Sequence, residues 1–330
     1  MAVTDANSTN STDDTVTISH MLLSGTWQNA VWYTFNIYIY FWMVTGVTGG
    51  LLSAVVMFRL RRTLDACTFQ YLVPLAFSDS IYVVTFSLKS LERIHIVVGT
   101  AHGVYVFYTV NDFTCKFGMV LNNFGIKTST RILSCFAVER SIAVLVTLRV
   151  GRLMTQARRR NVIVSVFLYH AVTESAQGVT YRIKTIGLGL KNCQMDTVSE
   201  VVAQINVIYS YTTVTIIPWV GLIFSTVLIA TQFARRDVKF KNKNTSEQER
   251  RCVRNLICII IAFFVFNAPI TVLNLVYFTC DKLRHLPNPI QHLFYLIGGV
   301  FMITNSAVNF FIYIANLKSF RDELVRIVKH

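Results

Sequence analysis

Six ionisable side chains stand inside or at the ends of apolar segments that would ordinarily exclude them: Asp79, Lys127, Arg131, the adjacent pair Glu139 and Arg140, and Glu174. A charge at membrane depth is costly and persists where it has work, so each is a candidate for an ion path, an ion pair or a switch. Asp79 ends Leu75-Ala-Phe-Ser-Asp79 in mid-span and is either a functional carboxylate or a satisfied structural one. Lys127 and Arg131 lie one turn apart, and three readings stay open: snorkelling to the interface, facing a polar cavity, or pairing with Glu174. Glu139-Arg140-Ser141 closes an apolar stretch that begins at Cys115; the pair either works at the interface or simply sits at a helix mouth. The seven cysteines are spread singly, which fits neither a metal cluster nor a disulfide-dense framework. No catalytic set is assigned, and an enzyme is not expected.

The elements that must position these groups follow from composition. With 53% hydrophobic and 15% charged residues and a positive mean hydropathy, a soluble globular chain is excluded as the simplest class. Seven spans of roughly 20 to 25 residues would use about half the chain, giving an all-α bundle in one membrane domain with no room for a second folded domain. The apolar runs place spans at 31–58, 68–88, from Asp112 onward, from Arg158 to just before Tyr181, 202–233, 252–278 and 289–315. Residues 1–30 read as a polar tail, 31–316 as the seven-helix domain, and 317–330 as an amphipathic eighth helix with a short tail. In that last segment Phe320, Leu324 and Ile327 repeat at helical spacing among basic residues, as on a helix lying on the inner leaflet. The fourth span is the weakest, because His170, Glu174 and Gln177 interrupt it. Pro218 and Pro269 remove backbone donors and predict kinks in the fifth and sixth spans.

Most of the 31 lysines and arginines fall on alternate short connections and the final segment, among them Arg59 to Arg62, Arg158 to Arg160 and the run from Arg235 to Arg254. Retained positive charge predicts an extracellular amino terminus and a cytoplasmic carboxyl terminus. The net charge of +14 is thus a topology signal and an attraction for anionic lipid, with no nucleic-acid partner implied. The first thirty residues show no basic segment followed by an apolar core, so no cleavable leader is expected. Asn7-Ser-Thr and Asn10-Ser-Thr are glycosylation sequons that an exported tail would display, while Asn244-Thr-Ser would stay bare in the cytosol.

Read together, Asp79, Cys115, Leu133-Ser-Cys-Phe-Ala-Val-Glu-Arg-Ser-Ile-Ala-Val-Leu-Val-Thr-Leu-Arg149, Pro218, Phe266-Asn267-Ala268-Pro269 and Asn305-Ser-Ala-Val-Asn309-Phe-Phe-Ile-Tyr313 resemble the rhodopsin-like G-protein-coupled receptors. The resemblance covers about residues 31 to 327. The chain departs from the pattern at Gly50 for an asparagine, Ser141 for an aromatic, Thr147 for a proline, Thr226 for a tyrosine, Asn267 for a tryptophan and Phe310 for a proline.

The resemblance carries residue-level expectations. From the sequence, Cys115, Cys193 and Cys280 fall outside; the family pairing implies a bridge from Cys115 to Cys193. Asp79, Ser129, Asn305, Ser306 and Asn309 occupy the positions where the family gathers an allosteric sodium ion, the only metal or cofactor implied. Glu139, Arg140, Leu148, Glu249 and Tyr313 take the positions used in G-protein coupling, with Glu249 at the foot of the sixth helix as a bridge to Arg140. A ligand pocket is expected from Asn122, Asn123, Asn267, Asn274, Tyr277 and Tyr295, with Lys89 and Glu92 at the rim. No aspartate stands where amine receptors pair with an ammonium, so a peptide is expected, and the seventh-helix motif resembles that of invertebrate neuropeptide receptors for FMRFamide-like peptides. Beyond Tyr313 only Ser319 offers a phosphorylatable hydroxyl, which implies weak arrestin recruitment through the tail. The alternatives are a receptor of this fold for a non-peptide small molecule and a membrane transporter. A transporter usually carries internal repeats or paired broken helices, which are not found. A light sensor needs a lysine in the seventh helix, and Phe294 to Ile314 has none.

Overall fold

The computed structural model describes residues 25–62, 66–98, 107–145, 155–186, 190–196, 208–209, 211–236, 243–279 and 288–329. Eight α-helices stand among them: α1 (Gly25–Arg59), α2 (Ala66–Val98), α3 (Asp112–Leu145), α4 (Gln156–Gly178), α5 (Ile217–Arg236), α6 (Lys243–Thr279), α7 (Asn288–Asn316) and α8 (Lys318–Lys329). One antiparallel hairpin joins β1 (Tyr181–Ile186) to β2 (Leu190–Met195), with Ile183 opposite Cys193. Helix α3 is the axis of the bundle, packed on α2, α4 and α5, while α7 packs on α1, α2 and α6.

Several helices run past the spans that hydropathy marks. Helix α2 extends to Val98 where the apolar run stops at 88, and α6 begins at Lys243, nine residues before the expected start. Glu247, Gln248, Glu249, Arg250 and Arg251 are good helix formers, so the basic connection continues the helix beyond its apolar part. Hydropathy therefore marks the slab, and propensity marks the helix. Four helices are long and apolar enough to cross a membrane on that basis alone: Tyr33–Arg59, Thr68–Leu91, Val253–Leu273 and Ile297–Asn316. Helices α3 and α4 are not among them, and they hold Lys127, Arg131 and Glu174. Ile37, Phe41, Leu51, Val220, Phe224 and Val265 all point outward and are exposed, an apolar girdle that a soluble protein would bury.

Among the described residues the core has three buried clusters, the smallest formed by Tyr82, Val83, Phe86 and Ile303 of α2 and α7. Leu72, Leu75, Ile132, Phe136, Leu222, Leu256 and Phe263 fill the half of the bundle opposite the hairpin, and Phe320 of α8 joins them against Tyr313 and Phe310. The apolar stripe of α8 thus docks on the bundle through Phe320, with Leu324 and Ile327 packed beside it. At the hairpin end, Tyr108, Cys115, Met119, Tyr181 and Cys193 form a second cluster, and the Tyr108 hydroxyl donates to the carbonyls of Thr85 and Gly118.

Glycines set the helix spacing. A Cβ on Gly50 would meet Ser80 Oγ at 2.2 Å, and one on Gly49 would meet Phe310 at 2.9 Å. Phe310, which stands where the family pattern has proline, packs on Gly49, the glycine of that pattern, while Gly50, which replaces its asparagine, packs on Ser80. At Gly125 the obstacle is backbone, Tyr82 N at 2.8 Å, so α2 itself would have to move. Gly125→Ala is expected to destabilise the bundle by about 1–3 kcal/mol, read as a lowered melting temperature of the solubilised chain.

The fifth span begins differently from a simple Pro-kinked helix. A π-helical turn, Thr212–Ile216, precedes α5 and leads into Pro218. In i→i+5 geometry the Thr213 carbonyl would accept from residue 218, which as proline has no N–H. Arg131 Nη2 donates to that carbonyl instead, at 2.9 Å. An orphaned carbonyl at membrane depth costs several kcal/mol, so this arginine has a structural reason to sit there.

Candidate functional site

At the hairpin end, a cavity of about 440 Å³ opens between α2, α3, α6 and α7 under the β-hairpin. Its polar lining is Lys89, Asn122, Asn123, Tyr181, Asn192 and Gln194, and its apolar lining includes Phe86, Met119, Ile270 and Met302. Among the described residues no carboxylate lines it. Asn122 is 7% exposed and its Oδ1 accepts no hydrogen bond from any described residue, leaving a buried polar atom in the cavity wall. Asn123 Nδ2 reaches the Tyr181 hydroxyl at 3.4 Å. The hairpin is held over this opening by the Cys115–Cys193 disulfide, Cα–Cα 5.6 Å, as the family pairing implied. Asp112 also accepts from the Ile183 N–H at 3.2 Å. On the outer face of the hairpin, Lys184 hydrogen-bonds Asp196 at 2.9 Å with Arg182 at 3.5 Å, which holds that carboxyl below its ordinary value of 3.8. This pairing is therefore intact at neutral pH and is lost only as acid passes below that value.

The structure brings Lys89, Asn122 and Asn123 together in the cavity and leaves Asn267 out of its lining. Asn267 donates to the Phe263 carbonyl of its own helix at 2.8 Å, so its amide is spent locally. The side chains of Asn274, Tyr277, Tyr295 and Glu92 lie outside the described residues, as do Asn7, Asn10 and Leu148. Sequence reading missed Tyr181, Asn192 and Gln194. The alternation Tyr181-Arg-Ile-Lys-Thr-Ile186 was the available signal, since it puts Tyr181 and Ile183 on one face of a strand.

In the middle of the bundle, Asp79 is 3% exposed. Its carboxylate accepts from Ser129 Oγ at 2.6 Å and from Asn309 Nδ2 at 2.8 Å, and Ser306 hydrogen-bonds it as well. This ties α2 to α3 and α7. Asn305 is half-buried one turn away on α7. The set offers one carboxylate plus hydroxyl and amide oxygens, a donor chemistry that fits a hard monovalent cation.

Between α3 and α4 the interrupted apolar run finds its explanation. His170, Glu174 and Gln177 recur at i, i+4 and i+7 and so share one helix face, which turns inward against α3. Lys127 Nζ lies 2.8 Å from both Glu174 oxygens and 3.3 Å from Gln177 Oε1. Both charges are buried, at 5% and 0% side-chain exposure. Of the three open readings for Lys127, pairing with Glu174 is the one realised.

At the end opposite the hairpin, Glu139 pairs with Arg159 of α4, Nε–Oε1 2.5 Å, and Arg159 also reaches Gln70 at 3.4 Å. Arg140 turns to the other side: its Nη2 donates to Thr68 Oγ1 of α2 at 2.8 Å, and its guanidinium stands 5.5 Å from the Phe136 ring centre. Adjacent residues on a helix diverge by about 100°, so Glu139 and Arg140 serve different neighbours. The Tyr313 side chain is buried nearby on α7, and the Glu249 side chain lies outside the described residues.

The family profile described as "7 transmembrane receptor (rhodopsin family)" matches residues 50–313. The chain is also similar to the neuromedin U receptor homolog nmur-2 of Caenorhabditis elegans, 22% identical over 281 residues covering 74% of this chain and 70% of that protein. With the profile spanning most of its length, over the same helices that carry Asp79, Arg140 and the α7 motif, this chain belongs to the rhodopsin family of seven-transmembrane receptors.

Proposed function

We propose that this receptor binds an extracellular peptide in the cavity beneath the hairpin and activates a heterotrimeric G protein at the opposite end. The observation that carries the ligand class is the lining: Asn122, Asn123, Asn192 and Gln194 offer amide donors and acceptors suited to a peptide backbone, and among the described residues no lining carboxylate offers a partner to an amine. The distant relative, named as a neuromedin U receptor homolog, supports the same class. In this reading the amino terminus, with Asn7 and Asn10 glycosylated, lies outside the plasma membrane, and the arginine-rich end faces the cytosol. Helix α8 lies along the inner leaflet, tied to α1 by Arg59 and Glu323 at 3.6 Å. The test is a library of peptides and biogenic amines applied to cells expressing the chain, with calcium and cyclic-AMP readouts. A peptide response weakened by Asn122→Leu is expected; a response to amines alone would overturn the reading.

Sodium is proposed to favour the resting arrangement, with Asp79, Ser129, Asn305, Ser306 and Asn309 supplying oxygens. A ligand that binds one of two states shifts the balance toward it. Agonist affinity is expected to fall in sodium relative to N-methylglucamine, and Asp79→Asn should remove the difference; equal affinity in both salts in the wild type would leave Asp79 a structural group.

A further inference from the structure

A second groove lies on the outer surface of the bundle, between α3, α4 and α5. It encloses about 340 Å³ and is lined at one end by Arg158, Arg159 and Glu139 and at the other by Arg131, Ile217 and Pro218. Glu139 and Arg131 are two turns apart on α3, so the groove spans about 12 Å along the bundle. Val138, Val162 and Ile217 form apolar, exposed walls.

Two independent features distinguish it from plain lipid-facing surface. The first is Gly221. Glycine inside a helix costs about 1 kcal/mol relative to alanine, so it normally repays a close contact. At the other glycines whose surroundings are described, an added Cβ would meet an atom at 3.1 Å or less; at Gly221 it would meet nothing within 4 Å. Helix packing does not explain this glycine, whereas an open groove floor does. The second feature is charge. Among the described residues, three arginines line the groove against one carboxylate, that of Glu139, which is itself engaged by Arg159. Arg158 and Arg159 sit in the first turn of α4, where the helix dipole favours an anion; Thr155 already takes their N–H groups, so their guanidiniums are the donors. The complementary occupant is an amphiphile with an anionic head and an apolar tail. A soluble anion would leave the apolar walls unused.

We propose that this groove seats an anionic phospholipid, its phosphate against Arg158 and Arg159 and one acyl chain laid over Gly221 between α4 and α5. Assigning the lipid to the inner leaflet rests on the orientation proposed above; the seat itself does not. Exchange of Arg159 from Glu139 to the phosphate would loosen the residue beside Arg140, which gives lipid composition a route to the coupling end.

The test is native mass spectrometry of the delipidated full chain in detergent, titrated with phosphatidylserine and phosphatidylcholine of identical acyl chains. Phosphatidylserine should be retained about tenfold more strongly than phosphatidylcholine, and Arg158→Gln and Gly221→Leu should each remove most of that preference or retention. Arg158 is exposed and the added side chain at Gly221 enters open space, so both variants should melt like the wild type without lipid. Arg160→Gln, one residue on and outside the groove, should change nothing. Glycerophosphoserine, which has no acyl chains, should not compete. Equal retention of the two lipids, undiminished retention in Gly221→Leu, equal losses in Arg158→Gln and Arg160→Gln, or competition by glycerophosphoserine would each overturn the seat.

Discussion

Lys127→Ala and Glu174→Ala will each cost the folded receptor about 3–5 kcal/mol, because either change leaves a buried charge without its partner. The pair is fully sequestered, with Lys127 Nζ 2.8 Å from both carboxylate oxygens and neither side chain more than 5% exposed. In a bilayer no water can rescue the survivor. The double variant Lys127→Met with Glu174→Leu should recover most of the loss, since a well-packed apolar pair replaces two desolvation penalties along with the attraction that offset them. Melting of the detergent-solubilised chain, with surface display in cells, reads all three. A single variant as stable as wild type would mean that the pair is not formed in the membrane. A double variant no better than the singles would mean that Gln177 and Thr173, which also reach this cluster, dominate it.

Arg140→Ala is expected to abolish G-protein activation while leaving surface display intact. The guanidinium meets Thr68 Oγ1 and the Phe136 face, and Glu139 beside it keeps Arg159 as a partner, so its removal strands no buried carboxylate. Thr68→Val should act in the opposite direction. A hydrogen bond to a charged group contributes about 1.5–3 kcal/mol, so if the Arg140–Thr68 bond holds the resting arrangement its loss raises the active fraction roughly tenfold or more. Basal signalling at matched surface expression should therefore rise in Thr68→Val and vanish in Arg140→Ala. A fall in both would assign Thr68 to the active arrangement.

How far the sequence carried this reading depended on whether a residue's partner was local or distant. The helices were legible because apolar runs of membrane length leave few alternatives, yet their ends were not, since Lys243 to Arg251 are helical without being apolar. Asp79 announced itself because a lone mid-span carboxylate needs partners, and Ser129 and Asn309 supply them. For Arg131 three readings stay open in the sequence, because its partner is a carbonyl 82 positions away, in a π-turn that ends two residues before Pro218. The α4 polar residues interrupt the hydropathy of the run but not its period, since 170, 174 and 177 keep helical spacing. Asn267 was placed in the pocket by analogy of position, and its own helix claimed the amide. The cavity's hairpin wall depended on pairing across two strands, which no local pattern specifies.

The most direct test of the receptor reading is guanine-nucleotide exchange on purified heterotrimers by the full chain reconstituted in nanodiscs, using each class of Gα subunit in turn. Exchange faster than with empty nanodiscs for at least one class, accelerated further by a peptide that binds beneath the hairpin and lost in Arg140→Ala, is the predicted result. Exchange indistinguishable from empty nanodiscs for every class, with such a peptide bound, would contradict it.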